Sequence, residues 1–169
     1  MIIGVENLDQ KLEKMSKAQL GHGIHRALQV VQSDAKLNAP VVTGGLRESI
    51  LTDMEVEGDT VRGICYTNLK YAPFVEFGTG PKGQEKHSGI SPDVSIAYTQ
   101  SPWWIHEGSG ENEVDRETAE RYGWMYIDTP KGRFYKCSGQ PAQPFMYPAL
   151  KNNEEEIARI IGEEFRSQL

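Results

Sequence analysis

Apolar positions from Val5 to Ala39 recur at helical spacing, and no proline interrupts them before Pro40. The stripe is not continuous, however. At about 100° per residue, Val5, Leu8, Leu12 and Met15 share one face, while Leu20, Ile24, Ala27, Leu28, Val31 and Ala35 share another, rotated by about 125°. The change falls beside Gly21 and Gly23, each of which costs a helix about 1 kcal/mol relative to Ala. The pattern predicts a core helix from about Leu20 to Leu37. It is preceded by a helical arm over residues 1–20 that bends back or packs on another subunit.

Thr43 to Ile50 opens with turn chemistry and passes into strand-like sequence. Leu46, Ser49, Ile50, Leu51, Met54 and Val56 fit one strand, Glu57-Gly58-Asp59 a turn, and Thr60 to Asn68 the partner strand. Tyr71 to Gly78 reads as a short helix, with Pro73 in its first turn and Gly78 at its stop. Residues 79–121 form a long excursion rich in Gly, Ser, Pro and acids; loops of that length are interaction arms, lids or disordered segments. A second hairpin runs from Tyr122 to Asp128 and from Arg133 to Cys137 across Thr129-Pro130-Lys131-Gly132. A final helix runs from Tyr147 or Pro148 to Gln168, with Leu150, Ile157, Ile160, Ile161 and Phe165 on its apolar face. The sum is one α+β domain over residues 1–169, in which an antiparallel sheet of about four strands packs against a long N-terminal helix and a C-terminal helix.

Charge changes the picture in one place. The chain carries 18 Lys and Arg against 24 Asp and Glu, a formal −6, which disfavours a protein built to grip nucleic-acid phosphates. From Glu107 to Glu120 there are six acids and one base, Arg116, so most of the net charge sits in the excursion. No apolar run approaches the roughly 18 residues of a membrane span, and Met1 to Val5 leads straight into a charged segment without a signal-peptide core. Cys65 and Cys137 show no metal-ligand spacing and read as free thiols of an intracellular product.

Motifs for catalysis fail on context. Gly78-Thr79-Gly80-Pro81-Lys82-Gly83 matches G-x-G-x-x-G by letter, but it follows a helical segment instead of a strand, and Gln84 stands where a P-loop needs Lys. His106-Glu107 begins like a zinc-protease motif, but Gly110 occupies the second His position. His22 and His25 have no acidic or Cys partner at helical spacing. No serine lies in a nucleophile-elbow context. The expectation is a protein without catalytic residues, metal or cofactor; a small nucleotide-binding or hydrolytic enzyme using Gly78–Gly83 is the rival from another class. Trp103 and Trp104 are more informative. A tandem Trp in a polar excursion either packs back onto the sheet or is buried on a neighbouring subunit, as interface Trp often is. Trp124, Tyr126, Phe134 and Tyr135 read as ordinary sheet-face residues, and Lys131, Arg133 and Lys136 supply too little interleaved charge for RNA stacking.

Three blocks, in this order, resemble a known family: Thr43-Gly44-Gly45-Leu46-Arg47-Glu48-Ser49-Ile50, then Tyr71-Ala72-Pro73-Phe74-Val75-Glu76-Phe77-Gly78-Thr79-Gly80, then Gln140 to Leu150. They are similar to the gene-product-ten-like family of tailed bacteriophages and prophages, whose members are neck or tail-completion proteins at the head–tail junction. The resemblance is weakest over residues 81–121. It implies a tail-terminator-like fold and a structural virion protein, made in the host cytoplasm, that forms a homo-oligomeric ring of six subunits at the head–tail junction. Such a ring completes or terminates the tail, meets the tail-tube protein and the neck or portal-adaptor proteins, and lets DNA pass through its lumen without specific binding or any membrane contact. A head-closure ring on the portal side is the alternative position.

A ring subunit needs two different surfaces for its two neighbours. Val5, Leu8, Leu12 and Met15 on the arm, with Trp103 and Trp104, are the interface candidates. The block residues carry scaffold roles. Thr43 and Gly44 turn the chain toward Leu46, and Tyr71 opens the short helix that Phe74 and Phe77 bury, with Glu76 turned to solvent or to a basic partner and Gly78 as the stop. Pro144 and Pro148 restrain φ while Phe145 inserts into the core. An acidic lumen would release no counterions to passing DNA, and the run from Glu107 to Glu120 is the candidate for that wall.

Overall fold

The structure, a computed structural model of the 169-residue chain, describes residues 5–42, 44–58, 60–108, 116–121 and 123–166; the described side chains exclude those of residues 5–19, 118 and 165. The elements are α1 (Val5–Asn38), α2 (Gly45–Glu48), β1 (Ile50–Glu57), β2 (Thr60–Thr67), α3 (Ala72–Phe77), α4 (Gly80–Glu85), β3 (Trp103–His106), α5 (Arg116–Arg121), β4 (Tyr126–Thr129), β5 (Gly132–Cys137), α6 (Met146–Lys151) and α7 (Glu154–Arg166). They fall into two compact units, residues 1–72 with 144–169, and residues 73–143.

In the first unit α1 is the central rod. It runs uninterrupted through Gly21 and Gly23, so the N-terminal segment does not bend back there. Gly23 shows why. A Cβ there would sit 3.2 Å from the Cα of Ile161 on α7, so the missing side chain lets two helix backbones approach. The propensity cost of glycine is offset by tertiary packing. Ala27, Leu28, Val31 and Ala35 are the buried positions of the inner stripe, with Ile160 on α7 and Ala149 on α6. The β1–β2 hairpin pairs Ile50 with Thr67 through to Glu57 with Thr60, and Gly63 lies under Ile24 and Leu28 of α1. The Gln32 side-chain amide donates to the Ile50 carbonyl at 2.8 Å, fixing the start of β1 on the helix.

Two boundaries differ from the sequence reading. Gly45–Glu48 is a turn of helix, not the start of the strand; it seats Leu46 in the core, and Ser49 then bonds Thr67 at 2.7 Å to begin the hairpin. The C-terminal helix is two helices, α6 and α7, separated at Asn152-Asn153. Asn153 donates to Asp34 at 2.6 Å and to the Ala149 carbonyl at 2.8 Å, while its own carbonyl accepts the first bond of α7. Asn favours such local alternatives to helix. Leu150, expected on the apolar face, is exposed as a result. The side chain of Phe165 lies outside the described residues.

The second unit contains the excursion. Residues 79–121, read from the sequence as loop, hold α4, β3 and α5. Its sheet has the order β3–β5–β4, all antiparallel. The chain therefore has five strands in sheets of two and three, where about four in one sheet were expected, and the α+β class stands. β3 is only four residues long, too short for alternation to reveal it.

Candidate assembly surface

The second unit is organised around close backbone approach. Thr79 and Gln140 form an isolated antiparallel bridge, Thr79 N–H to Gln140 O at 2.9 Å and Gln140 N–H to Thr79 O at 3.1 Å. Lys82 N–H donates to Ser138 O, Ala142 N–H to Lys86 O and Gln143 N–H to Val75 O, so residues 138–143 are stitched along α3 and α4. The second and third sequence blocks thus meet, although about 60 residues separate them. This also explains Gly78–Gly83. A Cβ on Gly78 or Gly83 would lie within 3.2 Å of the Gln140 carbonyl, and one on Gly80 would lie 2.8 Å from the Trp103 ring. These glycines make room for protein, not for a pyrophosphate, and α4 has only six residues.

Strand alternation then gives the sheet two faces. One carries Trp103, Ile105, Tyr126, Asp128, Arg133, Tyr135 and Cys137. Tyr135 and Cys137 are buried there, and the Tyr135 hydroxyl donates to Glu107, which also accepts from Arg116 at 3.3 Å. At its far end the Arg133 guanidinium donates to both Asp128 oxygens, at 2.7 and 3.0 Å, and stacks 4.1 Å over the Tyr126 ring. That paired hydrogen bond holds the Asp128 carboxyl below its ordinary range and raises the guanidinium further.

The opposite face is open and apolar. Trp104 from β3, Phe134 from β5, Ile127 from β4 and the adjoining Met125 lie on it in two cross-strand rows. Trp104 is 44% exposed and Met125 64%, with Ile127 also exposed and Phe134 half-buried. His106 packs edge-on against Phe134 at 4.8 Å between centroids, and its Nε2 meets the Lys131 carbonyl at 2.8 Å. His106 thus belongs to a strand and not to a zinc-binding helix. Lys136 stands between Trp104 and Met125, its N–H donating to Met125 O. Among the described residues this face carries no carboxylate.

The tandem Trp is therefore split by strand geometry. Trp103 turns inward over Gly80, and Trp104 turns outward into the apolar rows. Met125 and Ile127 were not singled out in the sequence; their alternation with Phe134 across a two-residue turn was the available signal. Two scaffold expectations change. Phe74 is 56% exposed, not buried, and Glu76 is only 6% exposed, so it does not turn to solvent; Ala72 and Glu76, four residues apart, form the buried face of α3. Phe74 and Phe77 instead line a cleft of about 330 Å³ with Pro73, Ile96 and Tyr98, whose hydroxyl donates to Phe77 O at 2.8 Å.

Of the other block residues, Gly44 adopts φ +89° before α2, Gly78 φ +74° after α3, Leu46 and Phe145 are buried, and Tyr71 is exposed. Pro144 is half-buried just before Phe145, and Pro148 lies in the first turn of α6. Thr43 lies outside the described residues, as do the side chains of Val5, Leu8, Leu12 and Met15 on α1. Of the acidic run, Glu111, Glu113 and Asp115 also lie outside them, while Glu107 pairs with Arg116 and Glu117 with Arg121. Cys65 and Cys137 are free thiols, and burial pushes the Cys65 thiol up. No three His, Cys, Asp or Glu side chains gather into a metal-binding group among the described residues, and no helix there is long and apolar enough to cross a membrane.

The first unit is thus a long helix over a hairpin, and the sheet of the second leaves one apolar face exposed. Residues 5–78 match the HK97-gp10-like family model, described as "Bacteriophage HK97-gp10, putative tail-component". The match spans less than half the chain and includes the first sequence block and most of the second. Over those residues the chain is similar to a family of phage tail components. No curated protein and no solved structure matches the chain.

Proposed function

We propose that this protein is a non-catalytic ring subunit of the phage head–tail junction, which completes the tail and joins it to the neck. The observation that carries this reading is the open face of the β3–β5–β4 sheet, with Trp104 exposed among Met125, Ile127 and Phe134. A monomer gains nothing by leaving Trp and Met in water, whereas a subunit contact buries them; burial of such side chains contributes about 1.5–3 kcal/mol each. Its partners are further copies of itself, the tail-tube protein and a neck protein, with DNA passing through an acidic lumen.

The test is a Trp104→Ala chain supplied to a phage lacking its own copy. Because Trp104 is half in solvent, the isolated variant keeps its unfolding midpoint to within a few degrees. Micrographs of the lysate should show separate heads and tails in place of joined particles. Joined, infectious particles at normal yield would overturn the reading. Copurification of the unaltered chain with tail-tube protein, as against a portal adaptor, separates tail completion from head closure.

A further inference from the structure

The uninterrupted course of α1 fixes the relation between its two apolar stripes. The inner stripe, Ala27, Leu28, Val31 and Ala35, is buried within the first unit. On a continuous helix Val5, Leu8, Leu12 and Met15 occupy positions about 125° around from it. A bend at Gly21–Gly23 could have brought both to one partner; without it, the two stripes occupy different sides of one helix.

We propose that the N-terminal stripe of α1 docks across the open face of the β3–β5–β4 sheet of a second copy of this chain. This pairing rests on the ring reading above and specifies its contact. An apolar stripe on a helix and an apolar face on a sheet are the two halves of a two-layer packing. The dimensions agree. From Val5 to Met15 the helix rises about 15 Å. Three strands of about four residues offer a face of roughly 10 by 13 Å.

Charge agrees as well and selects the direction. Lys136 and His106 are the ionisable groups on the sheet face, with no carboxylate among its described residues. The helix stripe is bordered on one side by Asp9, with Glu6 and Glu13 behind it, and on the other by Lys11. Only one way round sets the acidic flank against Lys136. The contact is heterologous, since each copy gives its helix to one neighbour and receives the other neighbour's helix on its sheet; a contact of this kind builds a ring when its rotation closes.

A photo-reactive phenylalanine derivative at position 12 of the full chain tests this, with half the molecules labelled with nitrogen-15. Mass spectrometry should find position 12 joined to Trp104, Met125, Ile127 or their neighbours in an oppositely labelled copy. Asp9→Lys and Lys136→Glu should each lower the yield about two- to fivefold, and the two together should restore it. Links confined to one copy, links elsewhere on the second copy, no link at all, or no restoration by the double reversal would each overturn the pairing. Rings seen in particles alongside such a failure would discard this contact and keep the ring; particles carrying only isolated copies would discard the ring itself. Melting curves of each variant, read by helical circular dichroism, separate lost contact from lost folding.

Discussion

The two units of this chain are held together by different physics. In the first, α1, the β1–β2 hairpin, α6 and α7 share a core of periodic aliphatic side chains such as Leu28, Val31, Ile50 and Ile160. In the second, the firmest contacts are between backbones. Residues 138–143 are hydrogen-bonded along α3 and α4, and Gly78, Gly80, Gly83 and Gly139 leave no room for a Cβ. Both units leave apolar side chains exposed, Leu37, Val42 and Val56 among them in the first, but in the second Trp104, Met125 and Ile127 gather on one sheet face. A scaffold fixed by main-chain bonds can present apolar side chains to a partner without collapsing around them. The tryptophans sharpen the contrast experimentally, because Trp103, Trp104 and Trp124 all belong to the second unit, while the longest helices, α1 and α7, belong to the first. Fluorescence and helical circular dichroism therefore report on different halves.

The largest effect should come from Gly139→Ala. Gly139 has φ +79°, and a Cβ there would lie 1.8 Å from the Thr79 carbonyl oxygen, which is backbone and part of the Thr79–Gln140 bridge. Left-handed strain plus an unavoidable clash should cost about 4 kcal/mol. Gly58→Ala is the matched control in the first unit: φ is +57°, but nothing lies within 4 Å, so only the strain of about 1 kcal/mol remains. Urea titration read by fluorescence should show Gly139→Ala shifted far more than the helical signal does. An equal shift in both signals would mean that the two halves unfold as one.

Much of the first unit was legible in the sequence because its determinants are local or periodic. The helix, the Glu57-Gly58 turn and the β1–β2 pairing follow from spacing alone. What escaped depended on distant neighbours. Gly23 reads as a helix breaker because the Ile161 backbone it admits lies far along the chain, and the role of Asn153 depends on Asp34, 119 residues away. The second unit hid more. Trp103 to His106 is too short for alternation to reveal a strand, and its partner β5 begins 26 residues beyond His106. Trp104 was legible as an aromatic without local cover, but Met125 and Ile127 joined it only once β4, β5 and β3 were in register.

A middle-sized effect should come from Asn153→Ala, which acts in the first unit. It removes the bond to Asp34 and the bond to the Ala149 carbonyl at the break between α6 and α7. Losing a charge-assisted hydrogen bond at a helix start should cost about 2 kcal/mol. The helical signal should move and the fluorescence transition should not. If fluorescence moves equally, the contrast between a side-chain-packed unit and a backbone-stitched one loses its thermodynamic meaning.

The smallest effect is electrostatic and can be read in both halves at once. In the second unit Asp128 is held below its ordinary range chiefly by the Arg133 hydrogen bonds; in the first, Glu156 is held low chiefly by Arg159 in the same way. A carboxylate with a depressed folded pKa contributes stability that is present above its unfolded value, about 4, and is lost as pH falls through the folded value. Asp128→Asn should therefore lower the fluorescence midpoint slightly at pH 7, and the difference from the unaltered chain should close as pH drops below about 4. Glu156→Gln should do the same in the helical signal alone. Both pairs are exposed, so added salt should shrink both differences. The Arg133 guanidinium differs in also lying over the Tyr126 ring, a contact that needs no carboxylate. Asp128→Asn should accordingly be less salt-sensitive than Glu156→Gln, and the reverse order would assign the Arg133 position to the ion pair alone.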